Sequence, residues 1–192
     1  MSALFNGRSV LPTLALVSTV LLTACSNSSD NGLSIASTYS ADIVWTQYGI
    51  PHITAQDYGS AGYGVGYAYA RENFCTIMRE YVFAAGESAR YLGDEGDLNS
   101  DFVMQLYNDD ERIDRMIRDD LPDDIVQDLT GYAAGINRYL AETGIDKLAE
   151  GAEGCRGAAW VREIDLKDVV RLLHKAVLVA SAGPLTDYIV AA

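Results

Sequence analysis

The sequence predicts an α+β fold, a short N-terminal β-hairpin followed by a mostly helical body, and three observations predict it. Two β-rich runs, residues 42–46 and 50–55, flank Tyr48-Gly49, where glycine supplies the turn and β-branched residues flank it. From Ser60 the pattern changes: Val65, Tyr69, Phe74, Ile77, Met78, Tyr81 and Val82 recur close to a helical period. The stretch LPDDIVQDLTGYAAGINRYLAETG, residues 121–144, then carries one continuous apolar helical face.

Each element has its own local reason. Pro51 lacks an amide hydrogen, so it belongs at a strand start or a sheet edge. Gly62, Gly64 and Gly66 lower helix propensity near the start of the first helix, and close backbone approach to a neighbouring strand is the simplest reason for them. That helix is expected to end near Leu92-Gly93. An acidic stretch follows, with a helical stripe of Phe102, Leu106, Ile113 and Ile117. Pro122 fits the first turn of the next helix, and Asp123 and Asp124 sit at the positive end of its dipole. Its face is Ile125, Leu129, Tyr132, Ala133, Ile136, Tyr139 and Leu140, and Gly144 closes it. After a loop at 151–164, Asp165 caps a last long helix, with Asp168 three residues on as an approximate capping box. The sum is a hairpin and four helices, and it looks incomplete. Two strands make an unstable sheet on their own, and residues 183–192 stop without a breaker or cap.

The 192 residues, 49% apolar, suffice for one core of ordinary size. Residues 1–24 stand apart from it: Arg8, an uncharged apolar run from Val10 to Leu22, then small residues, which reads as an export signal too short to span a bilayer comfortably. The run ends Leu22-Thr23-Ala24-Cys25, like a bacterial lipobox, so Cys25 is the expected lipidation site, several acyl chains giving a firm anchor. Ser26 after the cysteine favours the outer membrane; a plain signal peptide ending near a cysteine is the alternative. Residues 25–40 are small and polar, a flexible tether, and 41–192 form the folded region. The protein is thus expected to be exported, as a periplasmic or outer-membrane lipoprotein of a bacterium. A net charge of −13 repels phosphate backbones, which excludes nucleic acid as a partner. With Cys25 lipidated, Cys75 and Cys155 remain as an even pair in an oxidising compartment. A disulfide between them is expected, two free buried thiols being the alternative.

No motif assembles an active site. GYGVG at 62–66 lacks both the phosphate-loop ending and the dinucleotide spacing. Asp97, Asn99 and Asp101 imitate the start of a calcium loop, but Phe102 stands where glycine is needed and Asn108 where a bidentate glutamate is needed. No G-x-S-x-G elbow exists. His52 and His174, the only histidines, have no zinc-ligand spacing around them. His174, among Arg171, Leu172, Leu173 and Lys175, reads as a packing or surface residue.

Taken in order, YGIPHITAQDYGSAGYGVGYAYARENFCTI, GESARYLG, GYAAGINRYL, CRGAAWVREI and DVVRLLHKAVL resemble the light-chain region of the penicillin acylase family, nearest its acyl-homoserine-lactone and aculeacin acylase branch. The likeness runs over about residues 42–192. It implies the helical light-chain part of an αββα N-terminal-nucleophile hydrolase, in which a precursor cuts itself into light and heavy chains. The new N-terminal serine of the heavy chain attacks an amide carbonyl, with its own α-amine acting through a water as base. No catalytic residue and no cofactor is then expected in this chain. The partners implied are the heavy chain of the same precursor, an acyl-amide substrate and, through the lipid, a membrane.

The resemblance places an acyl-pocket wall on residues 170–182, with Leu178, Val179 and Ala182 as substrate-lining candidates. It also shows a departure: where penicillin G acylases carry an acidic calcium ligand, Leu185 precedes Thr186-Asp187, so no metal is expected. The function so implied is hydrolysis of N-acyl groups from acyl-homoserine lactones, acyl lipopeptides or penicillin-like amides. A membrane-tethered helical binding lipoprotein without catalytic activity is the alternative, and the chain is expected to be the front of a longer precursor or a truncated reading frame.

Overall fold

A computed structural model describes residues 38–148 and 154–192. The expected signal at 1–24, Cys25 and the tether up to residue 37 lie outside the described residues. Strands β1 (Ala41–Trp45) and β2 (Pro51–Ala55) pair antiparallel, with Ile43 opposite Ile53, Val44 opposite His52 and Trp45 opposite Pro51. The turn holds because Gly49 takes φ +77° while the Thr46 hydroxyl accepts from the amides of Tyr48 and Ile50. Packing begins before the hairpin: Tyr39 stacks on Tyr63, and the Ser40 amide donates to the Ser60 hydroxyl.

Helix α1 (Tyr58–Ala84) starts at Asp57, whose carboxylate accepts from the Ser60 amide at 2.7 Å. Helix α5 (Asp123–Thr143) lies along it. Between them, in chain order, come the single turn α2 (Ser88–Tyr91), α3 (Leu98–Tyr107), α4 (Asp110–Arg115) and a π-helical turn, Met116–Asp120. Helix α6 (Leu166–Ser181) and the short α7 (Thr186–Ala191) complete the chain. The main core gathers Phe74, Ile77, Met78 and Tyr81 of α1, Ala133, Ile136 and Tyr139 of α5, Val169 of α6, and Leu148, Cys155, Val161 and Ile164. Among the described residues no single helix is long and apolar enough to cross a membrane.

The α1–α5 contact is a glycine interface. A Cβ on Gly62 or Gly66 would overlap the carbonyl oxygen of Asp128 or Tyr132 on α5. One on Gly131 or Gly135 would overlap that of Gly59 or Tyr63 on α1. The hydrogen that replaces each Cβ therefore points at a carbonyl, the geometry of Cα–H···O contacts between close helices. The glycines thus answer mainly to a helix. Gly64 alone of the three faces the hairpin, its Cβ position 2.6 Å from Ile53 Cγ2.

This correction explains another. Val65 and Tyr69, expected inside, are 45% and 46% exposed, while Ala68 and Ala70 are buried. So near a neighbouring backbone there is room only for glycine and alanine, and the larger side chains turn outward. The interior face becomes bulky only beyond Asn73, whose non-helical φ/ψ kinks α1.

The first helix also ends earlier than Gly93. Gly86 takes φ +65°, and the Asp101 carboxylate, buried on α3, accepts from the Ser88 amide, the Ser88 hydroxyl and the Ala89 amide at 2.7–2.9 Å. A carboxylate from a later helix thus starts a new turn where the sequence alone would continue the old one. The acidic segment likewise breaks in two, because Asp109 caps α4 through the Arg112 amide. Its inner residues are Val103, Met104 and Ile113, with Ile117 half-buried and Phe102 and Leu106 exposed.

Candidate functional site

Helix α6 carries the residues of interest, and its start is held firmly. Asp165 accepts from the Asp168 amide while the Asp168 carboxylate accepts from the Asp165 amide, a complete capping box. The same buried Asp168 takes the Arg162 guanidinium as a fork, at 2.6 and 2.7 Å. Hydrogen bonding to that carboxylate holds the Arg162 pKa above its ordinary value.

Further along, Asn108 joins α6 to the ends of α1 and α3. Its side-chain amide donates to the carbonyls of Ala84 and Arg171, and its Oδ1 meets His174 Nδ1 at 2.7 Å. His174 is therefore a packing residue with a defined partner.

One turn beyond, Leu178 packs with Val103 and Met104 of α3 in a second apolar cluster, bordered by Tyr107, Ala182, Ile189 and Val190. The structure thus brings Leu178 and Ala182 together. It places Val179 elsewhere, 58% exposed. Apolar surface around this cluster lies open: Leu173 and Val177 one turn apart on α6, and Leu98, Phe102 and Leu106 at successive turns of α3.

The hydroxyl groups nearby serve the fold. Ser181 Oγ donates to the Val177 carbonyl, Thr186 Oγ1 to that of Gly183, and Ser88 Oγ to the capping Asp101. The calcium-loop look of Asp97 and Asp101 has the same origin, since Asp97 caps α3 through the amides of Asn99 and Ser100. Among the described residues no three His, Cys, Asp or Glu side chains gather to hold a metal, and Leu185 and Asp187 are exposed. His52 faces solvent on β2 opposite Val44. Cys75 on α1 and Cys155 are joined in a disulfide, Cα atoms 5.7 Å apart. The sequence shows Asp101 and Asn108 only as parts of a failed calcium loop and not as the buried partners of Ser88, Ala84 and His174, because a single buried Asp or Asn gives no periodic signal.

A penicillin G acylase from Alcaligenes faecalis superposes with a TM-score of 0.63 over 75% of each chain, at 22% identity, so the fold is that of the penicillin acylases. The penicillin amidase family profile matches residues 40–169. The chain belongs to that family. Aculeacin-A acylase from Actinoplanes utahensis is 37% identical over 90% of this chain and 23% of its own length. An acyl-homoserine lactone acylase, PvdQ from Pseudomonas putida, is 36% identical over 77% of this chain and 20% of its own length. The chain thus spans about a fifth to a quarter of the curated relatives it matches.

Proposed function

We propose that this chain is the light-chain region of an exported N-acyl amide hydrolase whose heavy chain supplies the nucleophile. The carrying observation is the apolar surface left open on α3 and α6 beside the Leu178 cluster. Faces of that kind call for a partner. The relatives' printed names, aculeacin-A acylase and acyl-homoserine lactone acylase, support an N-acylated substrate.

In this reading the heavy-chain serine takes the acyl group from the amide, the C–N bond breaks, the amine leaves, and water then frees the carboxylic acid. This chain contributes wall rather than chemistry. Leu178 and Ala182 line the acyl chain, where each buried methylene is worth about 0.8 kcal/mol, and Val179, 58% exposed and outside their cluster, is left to the surface that the heavy chain covers. Long-chain acyl-homoserine lactones or acyl lipopeptides are favoured over β-lactams. The test is a comparison of substrates on the assembled two-chain enzyme: faster release of a long-chain fatty acid from its homoserine lactone amide than of phenylacetate from penicillin G supports the assignment. The reverse order contradicts it.

His52 has no part in this chemistry, since a general base must reach the nucleophile. His52→Gln is expected to leave kcat of the assembled enzyme nearly unchanged, and a roughly 1,000-fold loss with the fold intact, the scale of a lost general base, would show otherwise. The lipobox-like run Leu22–Cys25 supports export and anchoring. Cys25→Ser is expected to abolish radiolabelled palmitate incorporation and to leave the protein soluble in the periplasmic fraction; label retained on the variant would refute the anchor.

A further inference from the structure

We propose that the Cys75–Cys155 disulfide is an oxidation-gated lock on a cover, residues 154–161, so that this side of the core closes only where a disulfide donor is present. The cover adopts neither helix nor strand. Cys155 and Val161 nevertheless belong to the main core, and Ala158 and Trp160 pack against it. The cover's own amide bonds are local: the Ala158 amide donates to the Cys155 carbonyl and the Val161 amide to the Ala158 carbonyl. Its covalent tie to α1 is the disulfide.

Beyond the cover the chain is fastened in another way. Asn137 of α5 accepts from the Ile164 amide at 2.9 Å and donates to the Ile164 carbonyl at 2.8 Å. The Arg162 fork on Asp168 adds a second hold at the start of α6. Neither contact needs the bridge, so release of the cover stops before Ile164. Within the cover the balance differs. Ordering eight residues of irregular backbone costs more than burial of Cys155 and Val161, with Ala158 and Trp160 in part, contributes. Without the covalent tie the cover stays off.

Access to sulfur sets the order of events. Thiol–disulfide exchange requires approach to the reacting sulfur, and Cys155 is 0% exposed once the cover is seated. The bridge therefore forms while the cover is off. One cysteine thiolate attacks the donor's disulfide and displaces one donor sulfur as thiolate. The second cysteine thiolate then attacks the mixed disulfide and displaces the other. Two protons and two electrons leave the cysteine pair, and the donor ends as two thiols. Seating the cover then shields the bond from the reverse reaction, and in a reducing compartment the lock stays open. None of this depends on the acylase reading, because every contact lies within the chain.

The test is amide hydrogen exchange of the full chain, oxidised and after reduction with dithiothreitol. Protection at Ala158 and Val161 should be lost on reduction, while Ile164 and the α1–α5 interface stay protected. Oxidised glutathione should restore it in step with bridge formation, followed by trapping free thiols with iodoacetamide. Unchanged protection at Ala158 and Val161 in the reduced chain, or its return before the thiols disappear, overturns the lock. Equal loss across α1 and α5 overturns it too, since the bridge would then hold the whole fold and not a cover. In reduced Asn137→Ala the loss should run past Ile164 into the first turn of α6, and loss confined as in the wild type contradicts the boundary. Should that variant fold poorly, the wild-type contrast between Val161 and Ile164 decides alone.

Discussion

Replacing Gly131 by alanine is expected to cost this chain about 3 kcal/mol, and replacing it by leucine to abolish the folded state. The Cβ of either residue would overlap the Gly59 carbonyl oxygen, a backbone atom that can move only if α1 moves. Separating α1 from α5 also opens the contacts at Gly62, Gly66 and Gly135, so the effects of substitutions along this interface will not add. The opposing gain in helix propensity, about 1 kcal/mol from glycine to alanine, is the smaller term. Gly183→Ala supplies the control, because its nearest neighbour, the Leu178 carbonyl oxygen, would lie at an ordinary 3.7 Å. Limited proteolysis of the three variants reads the outcome directly: near-wild-type resistance in Gly183→Ala, reduced in Gly131→Ala, and none in Gly131→Leu. Equal resistance in all three would show that the helices do not meet where the glycines put them.

Loss of the Cys75–Cys155 disulfide is expected to cost at least as much as Gly131→Ala. The bridge spans a sequence separation of 80 residues, and closing a loop of that size restricts the unfolded chain by about 4 kcal/mol in the chain-entropy model. It also pins the segment around Cys155, fully buried in the main core, against α1 through a stretch with little regular structure. Cys75→Ala with Cys155→Ala should lower the urea midpoint sharply, and dithiothreitol should do the same to the wild type while leaving the double variant unchanged. A wild-type midpoint indifferent to reductant would contradict the role assigned to the bridge.

What the sequence reveals here is what local chemistry decides. The hairpin is legible because Gly49 and Thr46 make its turn without help from elsewhere. Helix α5 is legible because its apolar face is continuous from Leu129 to Leu140, with only Ile125 more exposed than expected. The capping box at Asp165 and Asp168 is a contact between near neighbours. Distant residues decide the remainder. The end of α1 is set by Asp101, the break between α3 and α4 adjoins Asn108 with its contacts to Ala84 and Arg171, and the inward face of early α1 by four glycines shared with α5.

The candidate site is legible only in part for a related reason. Leu178 and Ala182 share one cluster while Val179 points elsewhere, a distinction that α3 and α7 make and that residues 178–182 cannot state alone. The match to the penicillin amidase family supplied what periodicity could not, namely the fold to which this helical body belongs.

The most direct measurement is release of free amine from a long-chain N-acyl homoserine lactone by two preparations. One is the purified chain; the other is the same chain co-produced with the heavy chain that the proposed function calls for. Hydrolysis by the second preparation and none by the first is expected of a light chain that builds the wall of a site whose nucleophile lies elsewhere. Sustained turnover by the purified chain alone would contradict it.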